Sequence, residues 1–170
     1  YIPVKVITAD DSSGLFAVQS AAVDGAIDVI DVSAGGSGYL TNNGSFQAVT
    51  NSTSMRIATT ASANDSVYIG STLYIDGGLG AGLIREITSY TGATRTVTVN
   101  TAFSTSPNTS STYIVSPKVS ISGDGTGAAA YSNVTTGGSA VNYINMISTG
   151  TNYTNATVTI SANTSFGLTM

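Results

Sequence analysis

The sequence has no cysteine, no histidine and no tryptophan, and charged side chains make up only 8% of its 170 residues. Each absence removes a class of chemistry. Without cysteine there is neither a disulfide framework nor a thiolate metal site. Without histidine or cysteine, a serine nucleophile would need a lysine or a carboxylate as its base. Only Lys5, Lys118, Arg56, Arg85 and Arg95 are cationic, and the formal net charge is −4. No basic stripe exists to neutralise phosphates, so neither a nucleic acid nor an anionic membrane is an expected partner. No apolar run approaches the roughly 18 residues of a membrane-spanning helix. The chain begins at Tyr1 with YIPVKVIT, which reads as a strand, and the expectation is a piece or processed product of a longer polypeptide.

What is present is glycine, serine, threonine and asparagine in quantity, with aliphatics that are mainly valine and isoleucine. β-Branched residues suit a pleated sheet, while glycine and asparagine suit positive-φ corners, so the composition predicts an all-β chain of short strands and turns. The alanine-rich stretches ATTASANDS and TGAAAYS are broken by serine, threonine, asparagine or glycine and are too short for a stable helix.

A shift of 114 residues lays the segment from Pro3 to Tyr39 on that from Pro117 to Tyr153 without a gap. Pro3 falls on Pro117, Ile7 on Ile121, Asp10 on Asp124, Ala26 on Ala140, Ile30 on Ile144, Gly36 on Gly150 and Tyr39 on Tyr153. Ile27 with Val141, Asp28 with Asn142, Asp31 with Asn145 and Val32 with Met146 are conservative pairs. Each copy reads as a strand, an Asp/Gly turn, a second strand, a polar turn, a third strand, and a small-residue corner closed by tyrosine. The expected organisation is a first copy over residues 1–50, a small inserted β-barrel or sandwich over 51–113, and a second copy over 114–170 that completes the repeat domain. The insert is expected to carry four or five strands, with a hairpin over Tyr90-Thr-Gly-Ala93.

The corners are Gly35, Gly36, Gly38 and Tyr39 in the first copy and Gly150 and Tyr153 in the second. Small residues there permit a tight or positive-φ path, and each tyrosine ring is expected to lie over its corner. The run GGLGAG (77–82) has GxGxG spacing, continues into the strand-like LIREITSY and has no lysine beside it, so it reads as a hairpin connection and not a phosphate loop. Asp10, Asp11 and Asp124 occupy equivalent turns and carry two readings: weak calcium binding through carboxylates and turn carbonyls, or turn capping without an ion. No other cofactor is expected. A glycosidase needs two carboxylates flanking a cleft; eight aspartates and Glu86 are present, but no pattern nominates a pair. Arg85 and Glu86 face opposite ways along a strand and are each expected to find a cross-strand partner. Tyr68, Tyr74 and Tyr90 are either a candidate contact face for sugar or protein, or ordinary half-buried strand tyrosines. Asn-x-Ser/Thr occurs at Asn43, Asn51, Asn64, Asn108, Asn133, Asn152, Asn155 and Asn163, a modest excess that fits a glycosylated surface or simply turn-rich composition.

The succession of an alternating strand, GGSGY, a spacer, a strand, SGDGTGAAA and a second corner with tyrosine resembles the Gly-rich β-repeats of tailed-bacteriophage virion structural proteins, notably tail, baseplate and fibre components. The insert's GSTLYIDGGLGAGLIREITSYTGATRTVTVNTAF also resembles a β-segment common in phage tail proteins. The resemblance implies a non-enzymatic assembly or attachment module located in a virion. Its partners would be other virion subunits, in a homo-oligomer, with host-surface glycan as a further contact. The second copy departs from the pattern, with Thr149-Gly150-Thr151-Asn152 where the first has Gly35-Gly36-Ser37-Gly38, which speaks for shared turn geometry over a shared ligand. Two rival readings are an extracellular or cell-surface adhesin or filament subunit, glycosylated at those asparagines, and a glycan-binding or glycan-cleaving spike domain.

Overall fold

The computed structural model describes residues 2–8, 14–20, 25–135 and 140–161, the first two segments as backbone strands. The described residues are all-β, with fourteen strands and no helix. They fall into two units, Tyr1–Tyr39 with Pro117–Ala162, and Leu40–Ser116.

The first unit contains β1 (Ile2–Thr8), β2 (Gly14–Ser20) and β3 (Val29–Gly35) from the first repeat copy. From the second copy it contains β11 (Lys118–Gly123), β12 (Thr126–Val134), β13 (Val141–Thr151) and β14 (Ala156–Ser161). The copies are repeats in hydrogen-bond register as well as in sequence. In the β2–β3 hairpin Gly14 pairs with Gly35, Leu15 with Ala34, and then, after a bulge, Phe16 with Val32 and on to Gln19 with Val29. Adding 114 to every number gives the β12–β13 hairpin: Ala128 with Thr149, Ala129 with Ser148, the same bulge, Ala130 with Met146 and on to Asn133 with Tyr143. A bulge inserts one residue and fixes the register around it. Its recurrence at one place means that the two hairpins are built alike, while the first strands differ: β1 pairs with β2, whereas β11 pairs with β14.

The copies meet along β3 and β13. The amide of Ile27 donates to the Thr149 carbonyl at 2.8 Å, and a Cβ on Gly35 would lie 2.1 Å from the Val141 oxygen. The 114-residue relation exchanges the residues of these two contacts, because 27 and 149 become 141 and 35. Such reciprocity is the mark of a two-fold arrangement, here inside one chain. The core follows it: Ile27 and Val141, Ile30 and Ile144, and Tyr39 and Tyr153 are all buried, joined by Val158 and Ile160 from β14. Ile27 and Ile30 are three residues apart, which strand alternation alone does not explain. Residues 26–28 are not strand, so the phase resets at Val29 and leaves that valine outside.

The second unit is a curled antiparallel sheet. It consists of β4 (Asn42–Ser45), β5 (Ala48–Val49), β6 (Ser54–Arg56), β7 (Thr72–Gly77), β8 (Ile84–Thr91), β9 (Thr96–Val99) and β10 (Thr112–Ser116), in the order β4-β10-β7-β8-β9-β6-β5. The two ends of that order are neighbours in the chain. Only Phe46 and Gln47 separate β4 from β5, with their amides bonded to Ser111 O at 3.4 Å and Arg56 O at 2.8 Å. A single bent segment therefore pairs with β10 at one end and β6 at the other, and curls the sheet around Phe46, Met55, Leu73, Ile75, Ile87, Val97 and Tyr113. Residues 42–49, placed in the first repeat copy on sequence, belong to this barrel, and so do 114–116 of β10. The strand register depends on partners some 70 residues away, which local patterning does not contain.

Candidate functional site

The corners take the same backbone path in both copies. Gly36 and Gly150 have φ of 66° and 67°, and the next-but-one residues, Gly38 and Asn152, have φ of 83° and 63°. Asparagine tolerates the left-handed region better than most residues, which is why it stands in for glycine at the second copy. Tyr39 and Tyr153 are both core residues. The Tyr153 ring lies against its own corner, since a Cβ on Gly150 would come within 2.7 Å of its Cε2. The Tyr153 amide donates to Gly25 O at 2.8 Å. The second copy's corner is packed against backbone, whereas in the first a Cβ on Gly38 would have nothing within 4 Å.

Asp10 and Asp11 lie outside the described residues. Asp124, in the turn between β11 and β12, accepts from the amides of Thr154 and Asn155, both at 2.9 Å, and from the Thr154 hydroxyl. That hydroxyl and the two amides hold its carboxyl down at about 2, below the ordinary 3.8. The carboxylate thus fixes the loop leading into β14, a cap made some 30 residues along the chain and not within its own turn. Among the described residues no group of three or more His, Cys, Asp or Glu is gathered.

Tyr68 and Tyr90 do not form a contact face, because both are buried in the barrel core. Their rings meet edge to face, with centroids 4.8 Å apart. The Tyr90 hydroxyl donates to Ser62 O at 2.5 Å, and the Ser62 amide donates to the Tyr68 oxygen at 3.2 Å. Tyr74, on β7, is half-buried. Period-2 alternation places Tyr74 and Tyr90 on a face without saying which face is inside, and Tyr68, read on sequence as part of a strand from Val67, sits in the turn before β7. The long β6–β7 connection is held further by Arg95 Nε on Ala61 O at 2.8 Å and by the Gly92 amide on Asp65 Oδ1 at 2.7 Å. Burial, with the neighbouring Tyr68, pushes the Tyr90 hydroxyl up to about 12. Burial likewise raises Tyr113 to about 12; its oxygen accepts from the Ala58 amide at 2.8 Å and its hydroxyl donates to Asn42 Oδ1 at 2.5 Å.

Arg85 finds two carbonyls and a ring: its Nη1 donates to Ile84 O at 2.7 Å, its Nε and Nη2 donate to Ala102 O at 3.3 Å, and its guanidinium lies 5.4 Å from the Phe103 ring centroid. GGLGAG connects β7 to β8, with Gly82 N donating to Ile75 O and Leu83 N to Gly80 O. This is a wide hairpin connection with no helix after it.

Outside the cores, the large apolar residues most exposed in the first unit, among the residues whose side chains are described, are Val29 and Tyr143, at 49% and 47%. They are equivalent positions of the repeat, 114 apart. The sequence signal was available: Tyr143 immediately precedes Ile144, the partner of the buried Ile30, and so has the opposite parity to a core residue. No family model, no curated protein and no solved structure matches this chain.

Proposed function

We propose that the chain is a structural, non-enzymatic module of a tailed-phage virion, in the tail, baseplate or fibre, acting in assembly or host-surface contact. The observation that supports this reading is the use made of six charged or phenolic side chains among the described residues. Asp124, Asp65, Arg95, Tyr68, Tyr90 and Tyr113 are each bonded to backbone or to a neighbouring loop, so they stiffen connections and do not converge on a cleft. A duplicated hairpin with a barrel inserted between the copies suits a part that holds shape under load. Burying such low-charge strand faces against neighbouring subunits costs little desolvation.

Cryo-microscopy of the particle whose genome encodes the chain tests the proposal. The expected result is density for both units at a repeated position, with subunit contacts around it. Absence of the chain from purified particles would overturn the reading.

A further inference from the structure

The barrel sheet has an outer side as well as a core side. On β10 and β7, Tyr113, Val115, Leu73 and Ile75 belong to the barrel core, so Ile114 and Tyr74, which stand between them, point outward. The ladders line up one row across four strands: Asn43 of β4 pairs with Ile114 of β10, Ile114 with Tyr74 of β7, and Tyr74 with Ile84 of β8. Residues directly paired in an antiparallel ladder share a face. One hydrogen-bonded sheet therefore carries Ile114, Tyr74 and Ile84 side by side on its outer face, on strands about 4.8 Å apart. These three are half-buried, and none belongs to the barrel core. On β6 and β9 the same side is polar, with Ser54 paired to Thr98 and Arg56 to Thr96.

A sheet face that is apolar across three adjacent strands is the kind that another layer covers, whereas a solvated face is polar. The sequence supplies a cover of matching chemistry. Residues 162–170, ANTSFGLTM, lie outside the described ones. They contain no charged side chain, and Phe166, Leu168 and Met170 recur with a period of two, the spacing that puts side chains on one side of an extended segment. The segment also starts within reach of the row. β14 ends at Ser161, which pairs with Lys118, and Lys118 is four residues along the chain from Ile114. Four residues span at most about 14 Å, while nine extended residues reach about 30 Å. A tether of this length holds the segment at an effective concentration on the order of millimolar, which a second copy or another protein must exceed to take its place.

We propose that segment 166–170 of the same chain covers the outer row of the barrel, with Phe166, Leu168 and Met170 packed on Ile114, Tyr74 and Ile84. The row is then a docking surface for the chain's own segment, and not for glycan or for another subunit. This goes beyond the proposed function and does not depend on it.

The test is nuclear magnetic resonance of the whole chain with labelled isoleucine methyl groups. The expected result is nuclear Overhauser contacts from the Ile114 and Ile84 methyls to protons of Phe166, Leu168 or Met170, unchanged on dilution. Phe166→Ser should shift both methyl resonances and leave that of the core residue Ile87 in place. Tyr143→Ser, at an exposed residue of the repeat unit, should shift none of the three. Absence of any contact between the row and residues 162–170 in the unaltered chain would overturn the inference. So would contacts that appear only between differently labelled copies, since these give the row to a second molecule. The contacts are measured without any substitution, so a variant that fails to fold leaves the decision intact.

Discussion

The inserted barrel and the repeat unit hold their loops by different means. In the barrel, buried tyrosine hydroxyls reach across to backbone: Tyr113 to Ala58, and Tyr68 and Tyr90 to Ser62. In the repeat unit the corresponding work falls to glycine corners, to backbone crossings such as Ile27 to Thr149, and to a fully solvated carboxylate, Asp124. The barrel must cover its core under a long β6–β7 connection, and large side chains with a polar tip both fill space and satisfy buried amides. The repeat unit gains its order from duplication, since each hairpin supplies what the other needs. It can therefore rely on close backbone approach.

The comparison can be broken most severely at Tyr113, which packs on Phe46 with ring centroids 4.8 Å apart. Tyr113→Ala is expected to cost about 4 kcal/mol, through the cavity and the stranded Ala58 amide. Tyr113→Phe should cost about 1–3 kcal/mol, because it removes only the hydroxyl. Urea unfolding followed by hydrogen exchange at Ile75 and Val97 measures both; a neutral Tyr113→Phe would mean that the hydroxyl does not hold the barrel.

In the repeat unit a large effect is expected at Gly150. A Cβ there would lie 2.6 Å from Ala128 N and Thr126 O, both backbone, at a φ of 67°. Gly150→Ala should cost about 3 kcal/mol by strain and overpacking. Gly38, two residues after Gly36 in the first copy's corner, has nothing within 4 Å of such a Cβ. Gly38→Ala should cost about 1 kcal/mol for its φ alone, and Gly38→Asn less, as Asn152 already occupies that place in the second copy. Thermal melts that rank these variants in any other order would show that the corners differ in geometry.

The smallest effect, and the sharpest contrast, is in pH. For Tyr90 and Tyr113, raised to about 12, the unfolded chain loses its phenolic protons first, near 10. The barrel should lose stability as pH rises from about 10 to 12, which ultraviolet titration of tyrosinate alongside circular dichroism will show. For Asp124, lowered to about 2, the contribution is present above the ordinary carboxylate value and lost as pH falls toward 2. The difference in melting temperature between wild type and Asp124→Asn should shrink from pH 5 to pH 2; a constant difference would remove the carboxylate's role in holding the Thr154–Asn155 loop.

Much of the repeat was readable from residue spacing. The matches at Ile30 and Ile144, Gly36 and Gly150, and Tyr39 and Tyr153 correspond to shared core positions and shared φ, because backbone geometry and burial constrain which residues can stand there. Less of the candidate site was readable. Tyr68 and Tyr90 carry the same local pattern as a surface tyrosine, and only the loop closing over them puts them inside. Tyr143 is outside by its parity to Ile144, but a bulge near Val141 gives the opposite answer to a count that starts at that buried valine.

By itself, then, the amino-acid order determined the all-β class, the two copies and their turns, since these follow from propensity, period and the steric demands of single corners. The tertiary structure decided where the barrel begins, what Asp124 binds and which face of each strand meets water. Those are settled by pairings between distant segments, and alternation along one strand is equally compatible with either of its faces being buried.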